Sequence, residues 1–321
     1  MNFDLLLENI TNPALLFFLL GIIAVRLKSD LEIPKNSSKF ISLYLLFSIG
    51  FKGGQELAHS HFTMDIIWSV LFGVLIAVVI PFYSFFILTK HFNIENSGAI
   101  AAAYGSVSAV TFVTAITFLE MQNYTFSGHM VAVMALMEAP AIIVGVILIR
   151  LYNKNELHST KMSSLIKHSF TNGSVLLITG SLIIGLLASD QQALGIKPFT
   201  TDLFKGFLAI FLLDMGIVSG QKLNDFFKSG WFSLIFAIII PLINGCIVAY
   251  ISQFVTDDIG NRFIFAILAA SASYIAVPAA MKIAVPKANP GIFLPMALAI
   301  TFPFNITFGM PIYLSIVLCS A

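Results

Sequence analysis

The chain has 321 residues, of which 58% are hydrophobic and only 10% charged. Soluble domains carry about 25% charged residues. No soluble fold of this length hides so much apolar surface, so the solvent around this chain is lipid. The formal net charge of +1, without a basic block, excludes a nucleic-acid-binding face.

A spanning helix takes about 20 mostly apolar residues. The sequence predicts ten such segments, making an all-α integral membrane protein. The first five are 12–26, 40–57, 65–89, 97–119 and 128–152. The second five are 175–189, 201–223, 231–255, 261–285 and 290–318. The first and sixth are short for a span. The chain start lacks the basic region of a signal peptide, so the first segment reads as a retained span. The most polar connection, 153–172, divides the chain into 1–152 and 173–321. The cysteines, Cys246 and Cys319, lie in apolar runs; they form neither a disulfide framework nor a metal cluster and read as small core residues.

The two halves resemble each other in order. Ile49-Gly-Phe-Lys-Gly-Gly-Gln-Glu-Leu57 matches Met215-Gly-Ile-Val-Ser-Gly-Gln-Lys-Leu223. Trp68 and Pro81 are echoed by Trp231 and Pro241. Gly105-Ser-Val-Ser108 meets Ala270-Ser-Ala-Ser273. Met134-Ala-Leu136 and Pro140 meet Met296-Ala-Leu298 and Pro303. An odd number of spans per copy makes the second copy inverted. With the N-terminus outside, all Lys and Arg except Lys52, Lys197, Lys205 and Arg262 fall on inside connections. Positive charge stays on the cytoplasmic side during insertion. Both termini are therefore expected outside and the 153–172 connection inside.

The fourth and ninth segments carry small and hydroxyl residues in hydrocarbon. In the fourth these are Gly105, Ser106, Ser108 and Thr111; in the ninth, Ser271, Ser273 and Tyr274, followed by Pro278. Glycine and serine favour a helix interruption, and proline disfavours helix at the preceding Val277. An interruption presents amides and the positive end of a helix dipole to an anion. Freed carbonyls and hydroxyls suit a hard cation such as sodium. Interrupted helices of this kind build binding sites at the midplane of transporters. The alternative is that small residues only let helices pack closely.

Few ionisable residues lie inside the predicted spans. Glu138, in Leu136-Met-Glu-Ala-Pro140, is a candidate for a sodium or proton site, because an intramembrane carboxylate is costly. Its repeat counterpart is Thr301, with Asn305 just beyond. Asp214 in the seventh segment is a further sodium candidate, with packing or gating as the competing role. Ser108 and Ser273 complete the tentative sodium set. His59, His61 and His91 read as interfacial, without metal-binding spacing.

At these residues the chain resembles the sodium-dependent bicarbonate transporter family. The resemblance rests on Ile49-Gly-Phe-Lys-Gly-Gly54, Gly105-Ser-Val-Ser108 with Phe118-Leu-Glu120, Glu138-Ala-Pro140, and Ala269-Ala-Ser-Ala-Ser273 continuing to Val285-Pro-Lys-Ala-Asn-Pro290. It implies ten spans in two inverted five-helix repeats, a core moving against a gate, and a homotrimer in the inner membrane. It also implies bicarbonate held at the core breaks, where Ser106, Ser108, Ser271 and Ser273 fall, with Na+ beside it. Two positions depart from the family pattern. Tyr274 stands where members carry an Asp, and Glu138 where they carry a shorter acid. A PII-like regulator belongs to the same picture, and the 153–172 connection is short for docking one. The expected function is sodium-coupled uptake of a small monoanion. The competing readings are a symporter of larger organic anions, as in bile-acid symporters, and a passive channel or sensor. An enzyme is not expected, because no nucleophile–base pair is evident.

Overall fold

The computed structural model describes residues 11–59, 64–153, 173–226 and 230–320. Among these every regular element is helical. The helices are α1 (Pro13–Arg26), α2 (Lys35–His59), α3 (Met64–Leu88), α4 (Ile94–Gly105), α5 (Ala109–Met121) and α6 (His129–Tyr152). They continue as α7 (Gly173–Leu187), α8 (Asp190–Lys197), α9 (Phe204–Phe226), α10 (Trp231–Ile251), α11 (Ile259–Ala270) and α12 (Ala276–Ala284). The last, α13, spans Pro290–Cys319 and contains π-helical runs at Met296–Thr301 and Asn305–Gly309. The expected connection 153–172, apart from Asn153, lies outside the described residues, as do His61 and the chain ends.

Among the described residues, six helical stretches are long and apolar enough to cross a membrane: α3, α4 with α5, α6, α8 with α9, α10, and α13. α1, α7 and α11 are apolar but shorter. α1 has 14 residues, about 21 Å of helix, which is less than the hydrocarbon thickness. The faces of α3 and α10 turned outward are apolar, with Trp68, Leu71, Leu75 and Phe82 on one and Trp231, Ile235 and Ile243 on the other.

α1 packs chiefly on α9, and α2 on α7. Both crossings are made at glycines. A methyl group on Gly54 of α2 would overlap the Leu182 carbonyl of α7, and one on Gly216 of α9 would overlap the Phe18 carbonyl of α1. Close backbone approach replaces the hydrophobic drive that lipid removes. α3, α6, α10 and α13 pack around α4, α5 and α11, whose residues are mostly buried, and α12 packs on α4 and α6.

Three expectations are corrected. Pro278 does not end a helix at Val277: helix starts at Ala276, and Pro278 sits in the first turn, where its missing N–H costs no bond. Residues 190–200 were expected to connect spans, yet Asp190–Lys197 forms a helix. It begins with a reciprocal capping box between Ser189 and Gln192. Cys319 is exposed and not a core residue, whereas Cys246 is part-buried and packs against the core.

Candidate functional site

The fourth predicted segment is broken. α4 stops at Gly105, whose Cα faces the Pro81 ring so closely that a methyl group there would overlap it. Ser106 and Ser108 are extended, with φ/ψ of −84°/178° and −104°/109°. Serine favours such a break because its hydroxyl serves the backbone in place of the helix ladder. The Ser108 hydroxyl caps α5 by accepting from the Thr111 amide at 3.2 Å. The ninth segment is broken in the same way. α11 stops at Ala270, Ser271 is extended at −84°/165°, and the Ser273 hydroxyl accepts from the Val277 amide of α12 at 3.3 Å.

The two breaks are stitched together. The Ser108 amide donates to Ser271 Oγ at 3.0 Å, and the Ser273 amide donates to the Ala103 carbonyl at 2.8 Å. α11 lies on α5 and α12 on α4, so the broken helices cross. The serines of both breaks are buried, and Tyr274 and Ile275 open onto a cavity, the conditions under which a membrane helix may break.

A cavity of about 30 Å³ lies at this crossing. Val107 to Val110 line one side and Ser273 to Ala276 the other, with Glu138 of α6 on the wall. The first turns of α5 and α12 therefore both begin at one point, with the unpaired amides that every helix start leaves. Glu138 has no hydrogen-bond or ionic partner among the described residues. Among the described residues, the Tyr274 hydroxyl lies near Ser108 yet completes no hydrogen bond, and Ser106 Oγ is likewise buried without a partner.

A vestibule of about 610 Å³ adjoins the cavity and shares Ser174, Tyr274 and Ile275 with it. Lys35, Ser38 and Lys39 at the start of α2 and Gln221 on α9 line its wall. Asp214 lies here and accepts from the Ser38 hydroxyl, away from the small cavity.

Of the residues singled out in the sequence, Ser108, Ser273, Tyr274 and Glu138 meet on the small cavity. Gly105, Ser106, Thr111 and Ser271 lie in or beside the breaks, off its wall. Thr301 and Asn305 serve other bonds. The Thr301 hydroxyl donates to the Ala237 carbonyl at 2.7 Å, the carbonyl that Pro241 leaves without its helical donor. Tyr104 bonds Thr301 at 2.8 Å. Asn305 Nδ2 donates to the Ala270 carbonyl at 2.7 Å, and its Oδ1 accepts from Tyr313 at 3.0 Å. Ser174 was missed; it is placed by the start of α7, and no motif or repeat match marks it.

The model of the Na+-dependent bicarbonate transporter superfamily matches residues 13–318, nearly the whole chain. The chain belongs to this superfamily. No curated protein matches the chain. As a member of a sodium-dependent transporter family, it is a multi-pass membrane transporter and not an enzyme. The family implies sodium as the coupling ion. The residues lining the small cavity include oxygen donors that suit that ion, the Glu138 carboxylate and the Ser108 and Ser273 hydroxyls.

Proposed function

We propose that this chain takes up bicarbonate, or a similar small monoanion, coupled to sodium and moved by alternating access. The observation that carries the reading is that the starts of α5 and α12 face one small cavity whose wall includes Glu138. Two helix starts supply amides and positive dipole ends for an oxyanion. The Tyr274 hydroxyl adds a donor, and Gly105, Ser106, Thr111 and Ser271 hold the breaks open around it. Glu138, with Ser108 and Ser273, supplies oxygens for sodium. Two anions side by side in low dielectric repel each other, so sodium at Glu138 binds first and makes room for the substrate charge. Asp214 belongs to the vestibule wall, and Thr301 and Asn305 support the crossing from behind.

The architecture belonging to this reading is ten spans in two inverted repeats, 1–152 and 173–321. Its support is the exchange of partners, in which the first helix of each half pairs with the second helix of the other. The α1–α9 and α2–α7 pairs form a gate, and the remaining helices form the core. Both termini lie outside, so the vestibule faces the cytoplasm. The size of the inner cavity favours a small substrate over the organic anions of bile-acid symporters.

The test is uptake of labelled bicarbonate into proteoliposomes with and without an inward sodium gradient. Accumulation against the bicarbonate gradient, only with sodium and not blocked by large carboxylates, is the expected result. Uptake that ignores the sodium gradient removes the coupling, and equilibration without accumulation leaves a channel.

A further inference from the structure

Resting on that transport reading, we propose that Glu120, Lys52 and Lys205 form an ionic latch closing the transporter at the end opposite the vestibule. Glu120 lies on the last turn of α5, the half-helix that starts at the substrate cavity. Its two carboxylate oxygens face different helices. Lys52 Nζ of α2 lies 3.7 Å from Oε1, and Lys205 Nζ of α9 lies 3.2 Å from Oε2. One core carboxylate thus ties the two long gate helices to the core.

The latch and the vestibule sit at opposite ends of the same two helices. Lys35, Ser38 and Lys39, at the start of α2, line the vestibule, and Lys52 lies about 25 Å further along that helix. On α9 the order is reversed: Lys205 is in its first turn, and Asp214 and Gln221 of the vestibule follow. A movement that parts the gate from the core at one end and joins them at the other must break this latch.

The latch has the strength that such a role needs. The lysine and glutamate side chains are part-exposed, 34% for Lys52, 64% for Lys205 and 37% for Glu120. Exposed ion pairs are individually weak, so they bias a two-state equilibrium without locking it. The broken state is also prepared for Lys52. Its ammonium lies 6.0 Å from the Phe204 ring, and the Glu56 carboxylate is close enough to interact with it.

The test measures accessibility at both ends at once in nanodiscs, where neither face is hidden. Single cysteines are placed at Val218→Cys in the vestibule and at Thr201→Cys on the latch side, in a Cys246→Ala, Cys319→Ala background, and labelled with a charged maleimide. With Glu120→Gln, labelling at 218 is expected to fall roughly three- to tenfold and labelling at 201 to rise. The charge-exchanged variant, Glu120→Lys with Lys52→Glu and Lys205→Glu, is expected to return both rates to within about twofold of the parent. Should Glu120→Gln not fold, Lys205→Gln carries the same test, because Lys205 is the most exposed of the three. Any pattern other than opposite changes at the two ends overturns the latch; general loosening raises both rates. Labelling needs no turnover, so loss of sodium-driven uptake and failure of the latch are separate results.

Discussion

At Tyr274 a phenolic hydroxyl is buried on the cavity at the helix crossing, with no hydrogen-bond partner among the described residues. An unpaired buried polar group costs about 1–3 kcal/mol, so its removal is expected to leave the fold unharmed or slightly steadier. If the hydroxyl holds the anion, the same removal weakens a hydrogen bond to a charged group. Tyr274→Phe is therefore expected to raise KM for bicarbonate about tenfold or more while the melting temperature holds or rises. An unchanged KM would take Tyr274 out of the site. Glu138→Gln keeps the shape and removes the charge. It is expected to raise the sodium concentration for half-maximal uptake at least about tenfold, with KM for bicarbonate at saturating sodium much less affected. These side chains were legible in the sequence because each is a polar residue in an apolar run at a helix break or beside a proline. Asp214, Thr301 and Asn305 looked equivalent for the same reason. What separates them is direction, and a helix apolar on every side carries no periodicity from which direction is read. Here Thr301 and Asn305 turn toward carbonyls freed by Pro241 and by the end of α11, and Asp214 turns toward Ser38.

The broken helix is the element on which the site depends, and Gly105 is where its first break is set. The Pro81 ring fills the space a side chain would take. Gly105→Ala is expected to destabilise the solubilised protein by about 1–3 kcal/mol, the usual cost of overpacking a tight core. Adding Pro81→Ala, which removes the nearest ring carbons, is expected to recover part of that loss in a double-mutant cycle. Strict additivity would mean that the break is set elsewhere. The existence of both breaks was readable from serine and glycine clusters in hydrocarbon. The second falls at Ser271 to Ile275, at the serines that marked it in the sequence, and Pro278 is a first-turn residue of the helix that follows. α8 was readable in principle from Ser189 and Gln192, but eight mixed residues between apolar segments look like a connection. The π-helical runs of α13 fall between its prolines, Pro295, Pro303 and Pro311, and adjust the freed backbone locally without ending the helix.

At the scale of the molecule, the proposed repeat is supported by partner exchange more than by sequence identity. α1 belongs with α9 and α2 with α7, so the unit they form joins the two halves of the chain and cannot be drawn as either half alone. The glycine crossings tie its pairs backbone to backbone, and a hydrogen bond joins the two breaks. In the proposed mechanism the pairs move as rigid pieces, and only weak contacts such as the Glu120 pairs need to change during transport. In the proposed mechanism the ion and the anion communicate through the cavity at the crossing. Sodium there would offset the Glu138 charge that repels the anion, and by linkage the anion would tighten sodium by the same factor. Calorimetry on the purified protein is expected to give a bicarbonate Kd about tenfold lower at saturating sodium than in choline, and a sodium Kd lowered equally by bicarbonate. Glu138→Gln removes the repulsion as well as the sodium ligand, so both factors are expected to fall toward one together. If sodium leaves the bicarbonate Kd of the unmodified protein unchanged, the two ions do not meet at the crossing of the broken helices.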